Sequence, residues 1–419
     1  MASNTRRTSR KRQSFEVVLV EVLKVVTLAK QWGGMDKVLD GVKVLEFVGI
    51  GPCPFAGMML ADMGAQVVRL DRLHSSGNYK ASWESTKSDP FLRGKETLEI
   101  DLKHPKAKEL VAALIEESEI LIEGFRPLVM ERLGYGPKWA LDVNPALVYG
   151  RMTGWGQSGP FSLRAGHDIN YISISGVLST VGEKNGKPVV PINYVGDFGG
   201  GAMMLVTGVL GALHAVQRGG RGRVVDASMV EGSSLLATMV HSFRARSQWE
   251  DERGVNLLDG GAPFYGTYRC KDGRYVSVGA LEPQFFSVLV ETLSLTDNAA
   301  CASQYDTSTW SAMARAFEVA FLKRDRDEWA EIFFDKDACV TPVLTLEEAP
   351  HHPHNLQRDS FISLHGVVQP APAPRFVDCE IPKEEEAFEA LRGGTNEILE
   401  RLGYSKDEIS EFLDSQVVS

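Results

Sequence analysis

Apolar positions come in short runs rather than in long stripes over the first third of the chain. Val42-Lys-Val-Leu-Glu-Phe-Val48 has the length and β-branched content of a buried strand, and Gly49-Ile-Gly-Pro-Cys-Pro-Phe-Ala-Gly57 is a tight turn leading into a helix over Ala56 to Gly64. Gln66 to Leu70 is a second strand ending in Asp71-Arg72, which completes one β-α-β unit of the length a right-handed crossover needs. The pattern repeats: Thr97 to Leu102 as strand, Pro105 to Ser118 as helix, and Ile120 to Ile122 and Leu147 to Tyr149 as strands. Strands alternating with helices predict a parallel sheet with helices on both faces.

The middle of the chain changes character. Gly200 to Val216 is long, apolar and glycine-interrupted, which predicts a buried central helix rather than a membrane span. Arg223 to Ala227 is a short strand, Val230 to Phe243 another apolar helix, and the polar stretch from Arg244 to Leu258 a linker. A second unit begins with a hairpin: Phe264 to Cys270, the turn Lys271-Asp-Gly-Arg274, then Tyr275 to Gly279, with Glu282 at the start of a helix. Pro370 to Pro374 has the composition of a rigid linker, and Gly394 to Gly403 carries a last helix signature.

A chain of 419 residues with ordinary hydrophobic and charged fractions holds two or three globular domains. Its net charge of −10 argues against a general nucleic-acid binder, so an anionic ligand must be met by a local cluster of cations. Arg72, Lys103, Arg126 and Arg132 fall at strand ends, where parallel sheets bind ligands, and together suit a phosphate cradle. Gly49, Gly51 and Asp71 imitate a dinucleotide fingerprint, but Pro52 and Pro54 occupy its turn and the third glycine is displaced, so a nicotinamide cofactor is not expected.

The five cysteines, Cys53, Cys270, Cys301, Cys339 and Cys379, lie far apart without a C-x-x-C pair, as in a reduced intracellular protein with no zinc site. His351-His-Pro-His354 sits in a loop without carboxylate or cysteine partners at ligand spacing, so no metal is expected there. Residues 1–15 are basic with no acidic residue before Glu16, and the apolar stretch from Val17 to Leu28 is broken by Glu21 and Lys24. This reads as a transit peptide or a disordered extension, not a membrane span, with Met35 near the domain start. The expectation is a soluble intracellular protein, cytoplasmic or, in a eukaryote, mitochondrial or peroxisomal.

Candidate chemistry gathers in Ala165-Gly-His-Asp-Ile-Asn-Tyr171 and Asn193-Tyr-Val-Gly-Asp-Phe-Gly-Gly-Gly201. His167 and Asp197 are proton carriers placed just before segments that read as helices, where unpaired backbone N–H groups stabilise negative charge. A base beside such donors suits removal of a proton from carbon next to a carbonyl. The alternative is structural: Asp168 and Asp197 as helix N-caps, and Glu282 as another.

From about Leu39 onward the chain resembles the family III CoA-transferase superfamily, most closely its α-methylacyl-CoA racemase branch. The likeness is carried by Gly41-Val-Lys-Val-Leu-Glu-Phe47, Val68-Arg-Leu-Asp-Arg72, Asp101-Leu-Lys103, Glu123-Gly-Phe-Arg-Pro127, Arg132-Leu-Gly134, Met152-Thr-Gly-Trp-Gly-Gln-Ser-Gly-Pro160, Gly166-His-Asp-Ile-Asn-Tyr171, Gly196-Asp-Phe-Gly-Gly-Gly201 and Asp259-Gly-Gly-Ala-Pro-Phe-Tyr265. The resemblance implies an α/β fold: a large Rossmann-like, CoA-binding domain over 39–243, a linker over 244–262, a small α/β domain over 263–345, and a return linker with C-terminal helices over 346–419 packing on the large domain. It leaves 1–38 as an extension. It also implies two chains interlocked as a homodimer, with no nucleic acid or membrane as partner.

The implied activity is an isomerase of lipid and fatty-acid metabolism that needs no cofactor, CoA being part of the substrate. It would epimerise the α-carbon of a 2-methyl-branched acyl-CoA thioester by 1,1-proton transfer. By position His167, paired with Glu282, is one base and Asp197 the other. CoA is held by Arg72, the Ile100-Asp101-Leu102-Lys103 segment, Gly124, Phe125, Arg126, Arg132 and the turn of Gly166, Asp168, Ile169, Asn170 and Tyr171. Inversion needs an acceptor on one face of the carbon and a donor on the other, which such a set supplies. The competing implication is CoA transfer between carboxylic acids, with Asp168 attacking the thioester. His167 and Glu282 favour the racemase, since acyl transfer has no use for an imidazole on the opposite face.

Overall fold

A computed structural model describes residues 37–73, 89–377 and 394–419. The expected N-terminal extension and Cys379 lie outside the described residues. Six strands form the main sheet: β1 (Lys43–Phe47), β2 (Gln66–Arg72), β3 (Lys95–Ile100), β4 (Ile120–Glu123), β5 (Val148–Thr153) and β6 (Arg223–Ser228). All five neighbouring pairs are parallel and the spatial order is β3-β2-β1-β4-β5-β6. This is the doubly wound order in which the direction of strand addition reverses between β1 and β4, opening a crevice beyond their carboxyl ends.

The alternation of strand side chains sends β1, β2, β4 and β5 into two cores. Val44, Val67, Ile120, Ile122 and Val148 face one core, which the helices Pro52–Asp62 and Met203–Gln217 cover. Leu45, Phe47, Val68, Leu70, Leu121 and Tyr149 face the other, covered by the helix Ala107–Glu117 and by Ile398, Leu399, Ile409, Phe412, Val417 and Val418 near the C-terminus. With both faces buried, the strands read as near-continuous apolar runs. Glu46 and Lys95 are exceptions, fully buried and paired at 2.6 Å, the Lys95 ammonium also donating to the Pro54 carbonyl.

A third core belongs to a hairpin of β7 (Tyr265–Arg269) and β8 (Tyr275–Gly279), extended by β9 (Val340–Pro342) into an antiparallel sheet. The helices Pro283–Thr292, Trp310–Phe321 and Arg326–Phe333 pack on it through Phe286, Leu289, Phe317, Phe321, Trp329 and Phe333.

Several elements differ from the sequence expectation. The first helix begins at Pro52, because prolines cost nothing in a first turn whose N–H groups have no helical acceptor. The helix expected over Val230 to Phe243 is two, Met229–Leu236 and Thr238–Ala245, with Ala237 between them outside helical geometry. The polar stretch after Ala245 is an ordered loop, held by the buried Asn256 side chain, which donates to the carbonyls of Glu250 and Glu252 and to Asp259. Pro370 closes an antiparallel hairpin of β10 (Phe361–Leu364) and β11 (Val367–Pro370) instead of opening a linker. Arg93 ties that hairpin to the first helix, donating to Gln369, to the Pro370 carbonyl and to Asp62.

Candidate active site

Two turns meet at the crevice between β1 and β4. Gly51, in the turn after β1, has φ +73, and a Cβ there would lie 3.4 Å from the Asp197 carboxylate. A Cβ on Gly124, in the turn after β4, would lie 3.2 Å from the Cβ of Cys53. The turns are thus in contact, and Asp197 stands over the first.

Asp197 is carried by a π-helix, Tyr194–Ala202, that runs directly into the α-helix Met203–Gln217. Such wider turns are uncommon and cluster at functional sites. The glycines allow close approach here: a Cβ on Gly196 would fall 2.5 Å from the Asp168 carboxylate, and one on Gly232 only 1.8 Å from the Gly200 carbonyl oxygen. The helix Met229–Leu236 therefore presses against the backbone of the π-helix and fixes it from behind.

The structure brings His167, Asp168, Tyr171 and Asp197 into one locale. Asp168 is only 5% exposed, and its Oδ2 accepts the Asp197 backbone N–H at 2.7 Å. Its other oxygen, Oδ1, is buried without a hydrogen-bond partner. Asp197 Oδ2 accepts from the Asn193 amide at 3.0 Å. Burial raises the Asp197 carboxyl above the ordinary carboxylate range; the Asn193 hydrogen bond opposes this, Asp168 adds to it and His167 opposes it. His167 is exposed and occupies the N-cap of the helix Asp168–Ile174, where its backbone N–H donates to the Asn170 side chain at 3.1 Å.

The capping alternative for the two aspartates does not hold. The N-cap positions belong to His167 and Asn193, while Asp168 is the first helical residue and Asp197 lies inside the π-helix. The Asp168 carboxylate crosses to another segment instead of closing its own helix.

Tyr171 fixes the turn before this helix, its hydroxyl donating to the Gly166 carbonyl and its ring meeting Trp155 edge-on at 4.7 Å. Burial, then the Asp197 charge, pushes the Tyr171 hydroxyl up to about 12, and Arg126 acts on it in the opposite sense. Arg126, in the turn after β4, lies near enough for its charge to be felt there. An apolar wall adjoins Asp197, where Phe198 packs on Phe55 at 4.9 Å and near Phe91 at 6.2 Å.

The remaining expected ligand residues lie along the carboxyl edge. Arg72, Lys103, Arg126 and Arg132 are exposed, and no described residue forms an ion pair with their side chains. Asp101 accepts the Lys103 backbone N–H at 3.0 Å and the Leu102 carbonyl accepts the Tyr135 hydroxyl at 3.0 Å, which shapes that turn. Ile100 is 1% exposed and sends its side chain into the second core. Gly124 and Ile169 are exposed and Phe125 is half-buried.

Glu282 is exposed at the N-cap of the helix Pro283–Thr292 and makes no capping bond with its side chain. Within one chain no hydrogen bond or ion pair joins it to His167; its charge bears instead on Cys339. The histidine tract has a local role, His352 Nδ1 accepting the His354 backbone N–H at 3.3 Å at the start of the helix Pro353–Gln357.

Sequence reasoning gave no role to Asn193 or to Arg151. Asn193 opens the segment that carries Asp197, and an amide four positions before a carboxylate at a helix start was the available signal. Arg151, an arginine in an otherwise apolar strand, ties Glu123 to Glu131. Among these groups Glu123 is fully buried, and burial pushes its carboxyl up to about 7 against the pull of the Phe125 N–H and Arg151.

A family model for CoA-transferase family III matches residues 39–381. The α-methylacyl-CoA racemase of Mus musculus is 43% identical over 384 residues, covering 91% of this chain and 97% of its own. The Homo sapiens α-methylacyl-CoA racemase is 42% identical over 381 residues, with the same shares covered. The crystal structure of a CAIB/BAIF family protein from Brucella suis superposes with a TM-score of 0.72 at 22% identity, covering 88% of this chain and 100% of that one, which shows the fold. The parallel sheet with its switch-point crevice, the matched span and the relatives agree: the chain belongs to the CoA-transferase family III.

Proposed function

We propose that this chain is a cofactor-independent α-methylacyl-CoA racemase, acting on a 2-methyl-branched acyl-CoA thioester. The observation that carries the reading is geometric: the buried Asp168 carboxylate, next in sequence to His167, holds the backbone of a half-buried Asp197 whose carboxyl is raised by burial, which brings the His167 and Asp197 segments together. The curated relatives at 42% and 43% identity with that name support it.

In this mechanism the α-hydrogen leaves as a proton to one base, and its electron pair delocalises into the thioester carbonyl as an enolate. The second base then delivers a proton to the opposite face, so the configuration inverts while no bond to carbon other than C–H is broken. Burial favours the protonated form of the Asp197 carboxyl, the form that can donate, and an imidazole can accept. Unpaired N–H groups at the start of the helix Asp168–Ile174 stabilise the enolate oxygen. CoA is gripped by Arg72, the backbone of Ile100 with Asp101 to Lys103, Gly124 to Arg126, Arg132 and the Gly166 to Tyr171 turn. With CoA part of the substrate, no further cofactor is called for.

The working unit is a homodimer, in which Glu282 of a second copy completes His167. Met203, Leu235, Leu236 and Met239 leave a broad apolar face beside the site open in the single chain. Less than half of the apolar stretch within Tyr194–Gln217 is buried, as suits a face covered by another copy. The large domain over 39–243 then binds CoA and the small domain over 263–345 supplies Glu282.

The alternative, CoA transfer through an aspartyl intermediate, has one observation in its favour: Asp168 Oδ1 is unpartnered. Its 5% exposure and the engagement of Oδ2 by the Asp197 N–H weigh against it as a nucleophile. Incubation with one enantiomer of a 2-methylacyl-CoA in deuterated water tests the choice. Inversion accompanied by deuterium at the α-carbon supports the racemase; recovery of unexchanged, uninverted substrate, with CoA passing to an added carboxylate, overturns it.

A further inference from the structure

We propose that Arg151 is a positioning residue for the CoA grip, stapling the turn after β4 to the short helix Val129–Leu133 and so setting the spacing between Arg126 and Arg132. This inference rests on the acyl-CoA reading above. Arg151 lies on β5 directly beside Glu123, the last residue of β4. Its Nε donates to Glu123 Oε1 at 2.8 Å, and its two terminal nitrogens donate to the two oxygens of Glu131 at 2.8 and 3.2 Å. The free oxygen of Glu123 accepts the Phe125 backbone N–H at 2.7 Å. One planar guanidinium thus fixes both ends of the segment from Glu123 to Glu131, with Arg126 and Arg132 each one residue beyond an anchored position.

That segment needs an anchor. Its path reverses through Leu128, a non-glycine residue at φ +67, and closes by a Val129 N–H bond to the Arg126 carbonyl. Both flanking cations are exposed, so their spacing is set by the backbone that carries them; Met130 packs that backbone into the second core, and the Arg151 fork adds the link from Glu131 to the turn after β4. Arg151 is 6% exposed and Glu123 fully buried in a strand region that is otherwise apolar. Glu131 lies at the exposed rim, but the Arg151–Glu123 pair is buried; a buried ion pair is seldom the most stable filling for such a place, and well-packed apolar residues usually serve stability as well or better. Its geometry instead specifies an orientation, which is what a fork of fixed donors does best. The end of the sheet it occupies is the ligand edge. Phosphates bound there, far from the reacting carbon, are held equally in ground and transition states, so an error in spacing is read in affinity rather than in the chemical step.

The test uses full-length protein with Arg151→Met and Arg151→Lys, measuring the affinity for CoA and the turnover of an acyl-CoA and of the matching acyl-pantetheine thioester, which lacks the nucleotide phosphates. Arg151→Met is expected to raise KM for the acyl-CoA and Kd for CoA by roughly tenfold with kcat within about threefold, and to leave acyl-pantetheine turnover unchanged. Arg151→Lys, which keeps the charge but loses the fork, should lie close to Arg151→Met. Should Arg151→Met fail to fold, Glu131→Gln supplies the same comparison, with a smaller loss of CoA affinity expected. Equal losses on both substrates, or a kcat loss at unchanged KM, would overturn the positioning role. Wild-type protein that binds no CoA would sink the acyl-CoA reading itself, whereas CoA binding unaffected by every variant sinks only this inference.

Discussion

The carboxylate of Asp168 accepts the backbone N–H of Asp197 at 2.7 Å, so the residue beside one candidate base holds the main chain of the other. Through this bond the turn at Gly166 and the π-helix at Tyr194 become one rigid unit. The relative placement of His167 and Asp197 thus depends on this short hydrogen bond as well as on the helix packed behind the π-helix.

Asp168→Asn keeps an oxygen able to accept that N–H, whereas Asp168→Ala does not. Inversion is expected to fall about tenfold in the first variant and a hundredfold or more in the second, because only the second leaves the Asp197 N–H without its partner and loosens the link between the two segments. Steady-state kinetics on both variants, with hydroxylamine present during wild-type turnover, checks this. An acyl-hydroxamate at Asp168, with Asp168→Asn inactive, would show a nucleophile instead.

Two-base inversion gives His167→Ala and Asp197→Asn a distinctive signature. Each should lower inversion by roughly two to four orders of magnitude, the range of a lost general acid or base. Each should also keep slow α-deuterium exchange, without inversion, for the one enantiomer whose hydrogen faces the surviving base. Separate assays of exchange and of chirality on both enantiomers read this out; identical residual behaviour of the two variants would contradict bases on opposite faces.

The pH profile should respond to Asn193. Its amide stabilises the ionised Asp197 carboxyl, which burial already raises, so Asn193→Ala removes a lowering influence and the proton is held more tightly still. In the direction where Asp197 accepts the proton, activity is lost as pH falls through its pKa, and that acid limb should move to higher pH in the variant. In the reverse direction, where Asp197 donates, the alkaline limb should move the same way. Profiles of kcat/KM for each enantiomer measure this, and an unmoved pair of limbs would remove Asp197 from the titrating step.

If Glu282 serves a neighbour's His167, neither His167→Ala nor Glu282→Ala homodimers should be active, while co-refolded mixtures should regain activity. One of the two sites in each heterodimer would then be intact. Light scattering gives the assembly state alongside. Activity of the wild-type protein as a monomer would exclude the arrangement.

The strands and helices were legible in the sequence because their signals are local. Short runs such as Val42 to Val48 and Ile120 to Ile122 read as buried strands by their length and β-branched content, and the proline pair at Pro52 and Pro54 as the opening of a turn or helix. The side-chain inventory was legible too, since an imidazole at His167 and a carboxyl at Asp197 are chemical facts before they are structural ones. Beyond the β1–β2 unit, the neighbours of each strand were not. That β1 lies between β2 and β4, opening the crevice where the Gly51 and Gly124 turns meet, follows from packing two helical layers on one sheet, a long-range balance that no local window contains.

The same limit hid the devices that aim the site. The Asp168 to Asp197 bond, the Arg151 staple and the glycine contact between Gly200 and Gly232 each join residues far apart in sequence. A hydrogen bond depends on positions to within a few tenths of an ångström, and only the assembled core supplies that precision. The sequence by itself determined which chemistry the chain carries and which segments fold into strands and helices. The tertiary structure decided which groups face each other, because facing is a property of packed layers and not of any segment alone.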